Sequence, residues 1–526
     1  MSKYYYIIVL YVCVLAALSG CTSPASVEFT VNGTRAFYDS RTNSYLCTTS
    51  KESFENGTID AVIGFDDASC KEFILDGKPV KNGGRVTLTQ LTAGKRYALM
   101  LKLSRGTIEA TVEFTYLPTM RVKGKFDKIY RKGEIILNDP STMTTSTYDA
   151  VLKWRGGNTN TINKHKRNYK VKLKNKTGRK ARHELLGMRA ESVWIFDAAQ
   201  MDKSRVRNRV ATDVWNDIAP QPYHATPDVH IYTGSRGKPV EMFLNDEYVG
   251  IYYITEPMNN RQLYLEKYDR NAGIIHGELW KTHHYTKAVA FWDLNGSFNN
   301  LHDTWEGFET KYPDFSDDEA IDYGPLYDAI HFAVNSNSQQ FNARAEEFFD
   351  VPVLINYIVL LQVFKAQDNE CTNTYWFCPD QTVNKRLSLA VWDLDATCGM
   401  PQEPNKLKPE VLRADVPLSL HHGAYAGLLK NSSPYRERVW QRYKELRNGV
   451  LNSDSIVERY WAYYKSFKDC GAVKREQQRW NHDSDIFGAE LNMESEIIAI
   501  DKWLRMRLEF LDQHMMEKII DLENND

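Results

Sequence analysis

The chain has 526 residues, more than one hydrophobic core usually organises, so two or three domains are expected. Lys and Arg total 66 and Asp and Glu total 68, which gives a formal net charge of −2. This near balance gives no indication of nucleic acid or an anionic membrane surface as a binding partner. Partners therefore have to be inferred from local groups of residues.

The N-terminus has the pattern of an export signal. An apolar run over residues 7–18 is too short to span a bilayer. It ends in Leu18-Ser19-Gly20-Cys21, which resembles a lipobox, the signal for acylating a cysteine and cleaving before it. We expect a signal peptide over residues 1–20 and a lipidated Cys21 that anchors an exported protein to the membrane. The alternative is ordinary secretory cleavage, with Cys21 at this spacing by chance.

The residue after the cysteine is Thr22, which carries no acidic retention signal. The outer membrane is therefore the expected location, and the periplasmic or surface face is left open. An exported protein can form disulfides, and Cys47 with Cys70 is one candidate pair. The alternative is that all six cysteines after Cys21 are buried thiols, since a chain of this size needs no covalent links.

From Val27 to about Tyr116, short apolar segments alternate with turn residues such as Asn32-Gly33. In Thr107–Thr115 every second residue is apolar, as a half-buried strand requires. The pattern predicts a small all-β sandwich of roughly ninety residues. It resembles the immunoglobulin-like modules that follow lipoprotein anchors. We expect residues 21–117 to form the anchor and a spacer domain.

Leu117-Pro118-Thr119 marks the expected boundary, because proline interrupts strand pairing. Residues 118–526 are predicted to be α+β, with strands up to Glu256 and helices after Asp317. One helix has clear signals. Its expected N-cap is Asp350, and its apolar stripe consists of Leu354, Ile358 and Leu361.

The sharpest group of polar residues follows that helix. Asp368-Asn369-Glu370-Cys371-Thr372-Asn373 precedes two strands joined by a turn, and the second strand ends at Asp393-Leu394-Asp395. An Asp, an Asn five residues later and a hairpin ending in Asp is the layout of a kinase catalytic loop with its metal-binding aspartate. Asp368 would then accept the proton of the acceptor hydroxyl, and Asn373, Asp393 and Asp395 would hold Mg²⁺ or Mn²⁺. The alternative is that these are ordinary turn residues.

Trp392-Asp393-Leu394-Asp395 resembles the Trp-Asp-x-Asp segment of the CotH kinase family, and residues 368–375 resemble its Asp-x4-Asn-x-Tyr catalytic segment. Arg155-Gly156-Gly157-Asn158-Thr159, followed by the Lys-rich residues 166–173, is similar to the family's Arg-Gly-Asn-Ser-Ser loop and strand. Asp202 through Asn208 resembles its Asp-x-Ser/Thr-x2-Arg-Asn helix start. The resemblance covers about Arg121 to Met516.

The resemblance implies an atypical two-lobed protein-kinase-like domain that transfers the γ-phosphoryl of ATP to Ser or Thr of an unidentified envelope or surface protein. The loop from Arg155 through Gly156 and Gly157 to Asn158 would approach the phosphates. The strand pattern places Lys166, Lys170 and Lys172 on one face, and we favour Lys172 as the phosphate-binding lysine. The alternative for any one of them is a solvated basic edge.

By analogy, a hairpin from Glu241 to Glu256 runs into the hinge that holds adenine, so Glu256 is a candidate nucleotide-binding residue. The alternative is a well-formed hairpin without that role. The Glu that should pair with the phosphate-binding lysine cannot be assigned, because the helix beginning near Lys203 offers Asp213 but no Glu.

Two other functions compete with phosphoryl transfer. The first is a catalytically inactive envelope protein that uses the same fold for adhesion or partner binding, which the scarcity of ATP outside the cytoplasm favours. Retention of Asp368, Asn373, Asp393 and Asp395 together favours the enzyme. The second is a carbohydrate-handling lipoprotein, which 12 Trp and 30 Tyr would suit, but no paired-carboxylate site is visible.

Overall fold

The computed structural model describes residues 27–516 apart from 67, 69, 105, 158–164, 295–301, 317–318, 320, 401–411, 419, 421–422, 432 and 482–489. Helix and strand occupy nearly equal shares, so the predicted α+β class is confirmed. Within these described ranges, no helix is both long enough and apolar enough to cross a membrane.

The chain divides into two compact units. One contains the described residues up to Lys123 together with Ile135–Thr147 and Glu241–Val249. The other contains Gly124–Glu134, Tyr148–Val240 and the described residues from Gly250 onward. All the candidate site residues that the structure describes belong to the second unit. The domain limits expected from the sequence stay predictions.

The first ten strands form two sheets. They are β1 (Phe29–Val31), β2 (Thr34–Arg35), β3 (Phe37–Asp39), β4 (Ser44–Thr48), β5 (Thr58–Phe65), β6 (Glu72–Leu75), β7 (Lys78–Val80), β8 (Arg85–Thr89), β9 (Tyr97–Leu103) and β10 (Gly106–Thr115), with the short helix α1 (Lys51–Glu55) before β5. The sheet orders are β2-β1-β5-β8 and β3-β4-β10-β9-β6-β7. Apolar side chains from both sheets share one buried cluster, as sandwich packing requires. The immunoglobulin-like assignment stays a prediction.

The predicted strand over Thr107–Thr115 is present as β10. Ala110, Val112 and Phe114 are buried as expected, and Ile108 is half-buried. Toward its end the strand is buried on both faces, since Glu113 and Thr115 are buried as well as Phe114. The alternating pattern therefore applies to only part of this strand.

Seven strands close into a barrel in the order β11-β12-β13-β14-β15-β17-β16. They are β11 (Thr119–Lys123), β12 (Arg131–Asp139), β13 (Thr144–Arg155), β14 (Asn168–Lys174), β15 (Val193–Asp197), β16 (Gly237–Leu244) and β17 (Glu247–Thr255). Closure leaves no unpaired sheet edge. Since β13 and β15 both run antiparallel to β14, their last residues, Arg155 and Asp197, lie at the same end of the three strands.

A five-stranded antiparallel sheet follows, in the order β19-β20-β18-β21-β22. Its strands are β18 (Glu278–Thr282), β19 (Thr304–Trp305), β20 (Phe308–Tyr312), β21 (Thr374–Cys378) and β22 (Ser388–Val391). The hairpin expected after the catalytic segment is the β21–β22 pair, with Tyr375 opposite Ala390. Its second strand leads directly to Asp393.

The helices after α1 are α2 (Arg207–Ile218), α3 (Gly324–Asn335), α4 (Ser338–Phe348), α5 (Val351–Phe364), α6 (Gly423–Asn431), α7 (Ser433–Arg447), α8 (Ser453–Asp469), α9 (Ala472–Trp480) and α10 (Met493–His514). The helix with clear sequence signals is α5. The expectation of a single apolar stripe was wrong, because every residue of α5 except Pro352 is buried. The helices α2, α6, α7 and α10 and the strand β22 pack around it.

Asp350 occupies the N-cap position of α5, but its side chain makes no capping hydrogen bond. Its carboxylate accepts instead from Ser388 Oγ at 3.0 Å and from the backbone N–H of Tyr223 at 3.1 Å. The residue therefore links the start of α5 to β22, the strand that carries the candidate site.

The six cysteines from Cys47 to Cys470, all of which the structure describes, are buried and form no disulfide. Cys47 and Cys70 both lie in the sandwich core without being joined. The arrangement follows the buried-thiol alternative. Cys371, inside the candidate catalytic segment, has its pKa raised by burial, so its thiol stays protonated.

Candidate active site

The segment after α5 brings together the Asp and Asn that the sequence singled out. A short 3₁₀ turn, Gln367–Asn369, carries Asp368. Asn373 Nδ2 donates a hydrogen bond to Asp368 Oδ2 at 2.7 Å, and Thr372 Oγ1 donates to Asp368 Oδ1 at 3.2 Å. These bonds orient the half-buried Asp368 carboxylate. We refer to residues 368–373 as the Asp368 loop.

Asn369 ties the Asp368 loop to the end of β22. The side chain is fully buried, and its Nδ2 donates to the backbone oxygen of Trp392 at 2.8 Å. Tyr357 Oη, from α5, donates to the backbone oxygen of Asn369. Because Trp392 directly precedes Asp393, this contact holds the loop beside the first acid of the Asp-x-Asp segment.

Asp393 and Asp395 lie just beyond the last residue of β22. Asp393 adopts a φ of +57° and remains accessible to solvent, whereas Asp395 is partly buried. Desolvation by the surrounding protein and the carboxylate of Asp197 raise the pKa of Asp393. Burial raises the pKa of Asp395 well above its ordinary value, and the charges of Asp393, Asp197 and Asp368 add to this rise. The four carboxylates repel one another, and a divalent cation would relieve that repulsion.

Asn208 connects Asp197 to the backbone between the two acids. Its Oδ1 accepts from the backbone N–H of Leu394 at 3.0 Å, and its Nδ2 donates to Asp197 Oδ2 at 3.2 Å. The residue lies in the first turn of α2, the helix start that the sequence predicted. Asp202 fixes that start by accepting from the backbone N–H of Arg207 at 2.7 Å. The helix terminus thereby positions the carboxylates of the site.

Basic side chains lie beside these acids. Burial and the nearby charge of Arg155 lower the pKa of Lys281, in β18, to about 8, although Asp393 acts to raise it. Burial and the charges of Lys311 and Arg155 lower the pKa of Lys170 to about 8. The site therefore combines carboxylates that repel one another with cations that do the same. A phosphate bound with a divalent metal would compensate both groups.

A second charged group lies deeper in the same unit. Lys166 Nζ donates to Glu476 Oε1 at 2.8 Å and to the backbone oxygen of Ile251 at 2.7 Å, and the lysine is 1 % exposed. Arg205 Nε donates to the same Glu476 oxygen at 2.7 Å. Gly250 is required here, because a Cβ at that position would lie 2.1 Å from Glu476 Oε2. Glu476, from α9, is the glutamate that pairs with a lysine of the Lys-rich segment.

The family model of the CotH kinase protein matches residues 152–511, more than half of the chain. The chain belongs to the CotH kinase family. No curated protein matches it. The matched segment contains the Asp368 loop, the acids after β22, the lysines around β14 and the Lys166–Glu476 pair, so the expected family assignment is confirmed.

The three lysines of the CotH glycine-loop strand differ in their surroundings. Lys170 and Lys172 lie on one face of β14, opposite the buried Tyr169, Val171 and Leu173, as predicted. The placement of Lys166 on the same face was wrong, because Lys166 precedes the strand and is bound to Glu476. Lys172 Nζ lies 4.5 Å from the ring centroid of Tyr130, and the charges that shift its pKa, after burial, belong to Lys174, Lys153, Asp314 and Lys180. None of these four belongs to the acid group around Asp393.

The glycine loop of the CotH kinase segment is described only in part. Gly156 adopts a φ of +119°, which L-amino acids with a side chain rarely adopt. Gly157 has open space where a Cβ would lie. Asn158 falls outside the described residues, as does Cys21, so the phosphate-binding and lipidation roles expected of them stay predictions.

Glu256, the candidate hinge residue, is fully buried. Its carboxylate accepts from Arg236 Nη2 at 2.7 Å and from Arg236 Nε at 2.9 Å. The backbone N–H of Arg189 donates to the same carboxylate at 3.2 Å. The side chain is therefore engaged within the protein, and its role in nucleotide binding stays a prediction.

Several residues of this CotH site were not singled out from the sequence: Asp197, Lys281 and Glu476. Asp197 ends the apolar strand β15, so the rule that selected Asp393, an acid just after an apolar strand, would also have selected it. Lys281 is the penultimate residue of the strand β18. Glu476 has no local signal, because it lies 310 residues from Lys166.

Proposed function

We propose that this CotH kinase domain transfers the γ-phosphoryl group of ATP to a Ser or Thr hydroxyl of an envelope or surface protein. The observation that supports this most directly is the hydrogen-bonded Asp368–Asn373 pair held beside Asp393 and Asp395. Purely structural packing does not require two such groups of acids in one cleft. The proposal takes the strand-rich and helix-rich parts of the family segment as the two lobes of a kinase-like domain.

Asp368 acts on the acceptor. Its carboxylate, held by Asn373 and Thr372, orients the Ser or Thr hydroxyl and accepts its proton. The hydroxyl oxygen forms a bond to the γ-phosphorus, the bond from that phosphorus to the bridging oxygen breaks, and ADP leaves. Arg155 and a lysine beside the acids bind the phosphates through their charge.

The oxygen-rich residues fit Mg²⁺ or Mn²⁺. Asn373 uses Nδ2 to bind Asp368, which leaves its Oδ1 for a metal beside the carboxylates of Asp393 and Asp395. Among the described residues, no three His, Cys, Asp or Glu side chains are grouped for metal binding. Mg²⁺ commonly uses only one or two carboxylates, completing its shell with water and substrate phosphates. When bound, the metal neutralises charge that develops on the phosphates.

Two substitutions test this function. Asp368→Asn should leave ATP binding intact and lower phosphoryl transfer by about 10²-fold or more, because the proton acceptor is lost. Asp393→Asn should weaken both metal-dependent ATP binding and transfer, because a metal ligand is lost. Asp454→Asn, at an exposed residue of α8, is the matched control and should change neither.

The measurements are thermal stabilisation by ATP with and without Mg²⁺ or Mn²⁺, and incorporation of labelled phosphate into the protein or a generic Ser/Thr substrate. A ligand at a hundred times its dissociation constant adds roughly 2.7 kcal/mol of stability. If the parent binds no nucleotide with either metal, or if both substitutions leave transfer unchanged, the adhesion or binding function replaces the kinase.

The protein substrate is expected in the compartment to which the chain is exported. We propose that Cys21 is lipidated and holds the protein at the outer membrane. Cys21→Ser should then release an unanchored or unprocessed form, because both acylation and cleavage depend on the thiol. Detergent phase partitioning measures this, and a variant that partitions like the parent contradicts the lipid anchor.

A further inference from the structure

Lys281 lies in β18, the central strand of the five-stranded sheet. Its cross-strand neighbours are Tyr375 in β21 and Glu309 in β20. Its half-buried side chain places Nζ 5.9 Å from the centroid of the Tyr375 ring. Glu309 is already bound to Lys311 and lies 3.8 Å from His283 Nδ1. Among the described residues, no carboxylate is within ion-pair distance of Lys281.

Arg155 makes a similar contact with an adjoining aromatic ring. Its Cζ lies 4.8 Å from the centroid of the Trp392 ring. That ring meets the Tyr375 ring edge to face, with centroids 6.0 Å apart and an interplanar angle of 84°. Each of the two cations therefore contacts one ring of a Trp–Tyr pair whose tryptophan directly precedes Asp393. Cation–ring contacts of this kind hold the charges in place without neutralising them.

This arrangement holds two positive charges in a partly desolvated place next to a carboxylate. Burial and the charge of Arg155 make the charged form of Lys281 less favourable, and the charges of Asp393 and Glu309 offset this only in part. A bound group with several negative charges would satisfy both cations. Phosphates do this through charge-assisted hydrogen bonds.

We propose that Lys281 is the lysine that binds the phosphates of the nucleotide, with Arg155 as its partner, beside the metal site at Asp393. This assignment rests on the proposed kinase function. It differs from the one favoured by the sequence, because Lys172 lies against Tyr130 and Lys166 is occupied by Glu476. The charges that act on Lys170 belong to other cations, whereas Asp393, the proposed metal ligand, acts on Lys281.

The test compares ATP affinity in purified full-length protein with saturating Mg²⁺. Lys281→Met keeps the side-chain length and removes the charge, so ATP should bind about 10- to 100-fold more weakly. Adenosine affinity should not change, because adenosine has no phosphate. Lys172→Met is the matched control and should leave ATP affinity within about twofold.

A second measurement does not depend on the folding of a single variant. Between pH 7.5 and 9.5 the terminal phosphate has already lost its second proton. ATP affinity of the parent should fall as pH rises through about 8, because Lys281 loses its charge there. In Lys281→Arg, which stays charged, this fall should be shallower than in Lys170→Arg.

The outcomes separate the two proposals. A parent that binds no ATP with any divalent metal contradicts the kinase function itself. If the parent binds ATP, and Lys281→Met and Lys281→Arg have the same ATP affinity and pH dependence as the parent, only the assignment of Lys281 is contradicted. If Lys172→Met loses more ATP affinity than Lys281→Met, then Lys172, the lysine favoured by the sequence, binds the phosphates.

Discussion

Two charged groups in the same compact unit are built in opposite ways. In the buried group, Glu476 accepts hydrogen bonds from Lys166 and Arg205 through one oxygen and from the backbone N–H of Ile251 through the other. Burial alone would raise the pKa of Glu476, but the two cations outweigh it and lower this pKa. Around Asp393 and Asp395 the acids repel one another, and Lys281 and Arg155 offset this repulsion only in part, since the pKa of Asp393 remains raised. Among the described residues, neither Asp393 nor Asp395 forms an ion pair.

The difference separates structural from functional charge. The buried ion pairs of Glu476, with its hydrogen bond from the backbone N–H of Ile251, tie α9 to β17 and balance acid against base within the protein. A group of like charges destabilises a folded protein, and such groups are found where a ligand compensates them. Both groups contain acidic and basic side chains, so the way these charges are arranged distinguishes the two roles.

The largest expected effect is on the buried group. Glu476→Ala leaves Lys166 and Arg205 buried without their carboxylate, so the free energy of unfolding should fall by about 3–5 kcal/mol. Urea denaturation of the parent and variant measures this. Glu494→Ala, which breaks the exposed pair with Lys468, is the control and should leave the unfolding midpoint almost unchanged. Equal effects of the two substitutions would remove the distinction between the groups.

A smaller change in the free energy of unfolding, of opposite sign, is expected in the group around Asp393 and Asp395. Because the folded protein holds the pKa of Asp395 above that of the unfolded chain, this residue contributes stability below the unfolded pKa that is lost as pH rises above it. Asp395→Asn removes that loss. In buffer with a chelator, the variant should be more stable than the parent at pH 8, by about 1 kcal/mol, and should lose this advantage near pH 4.

The measurement is thermal or urea unfolding at each pH, with Glu494→Gln as an exposed control that should follow the parent. The same Asp395→Asn variant should lose metal-dependent stabilisation by ATP if Asp395 shares the metal. If Asp395→Asn is less stable than the parent at pH 8, then Asp395 stabilises the fold rather than destabilising it.

Much of the site's local structure was predictable. Asp368, Asn373 and Asp393 were selected because a polar loop after an apolar helix and an acid after an apolar strand are local patterns. The β21–β22 hairpin followed from turn residues in the same way, and the start of α2 followed from the resemblance of Asp202 through Asn208 to the family motif. The stripe expected on α5 was wrong, because burial on every face depends on how many other elements pack around a helix.

The site residues that could not be recognised from the sequence are those whose partners lie far along the chain. Glu476 meets Lys166 only because α9 packs against β17, and no spacing rule connects residues so far apart. Lys281 becomes a candidate phosphate ligand only because β18 pairs with β21 and places it across from Tyr375. The three lysines around β14 were similar as sequence and became distinct once their neighbours were known.

The sequence by itself determined the α+β class, the strand and helix patterns and the order of the acids, because periodicity and turn chemistry act between residues close in the chain. It also carried the motifs that indicated the CotH family. Tertiary structure alone decided which charges are neutralised by ion pairs and which charges, around Asp393 and Asp395, repel one another. Charge interactions depend on distance and desolvation in three dimensions, and both are set only when distant segments pack together.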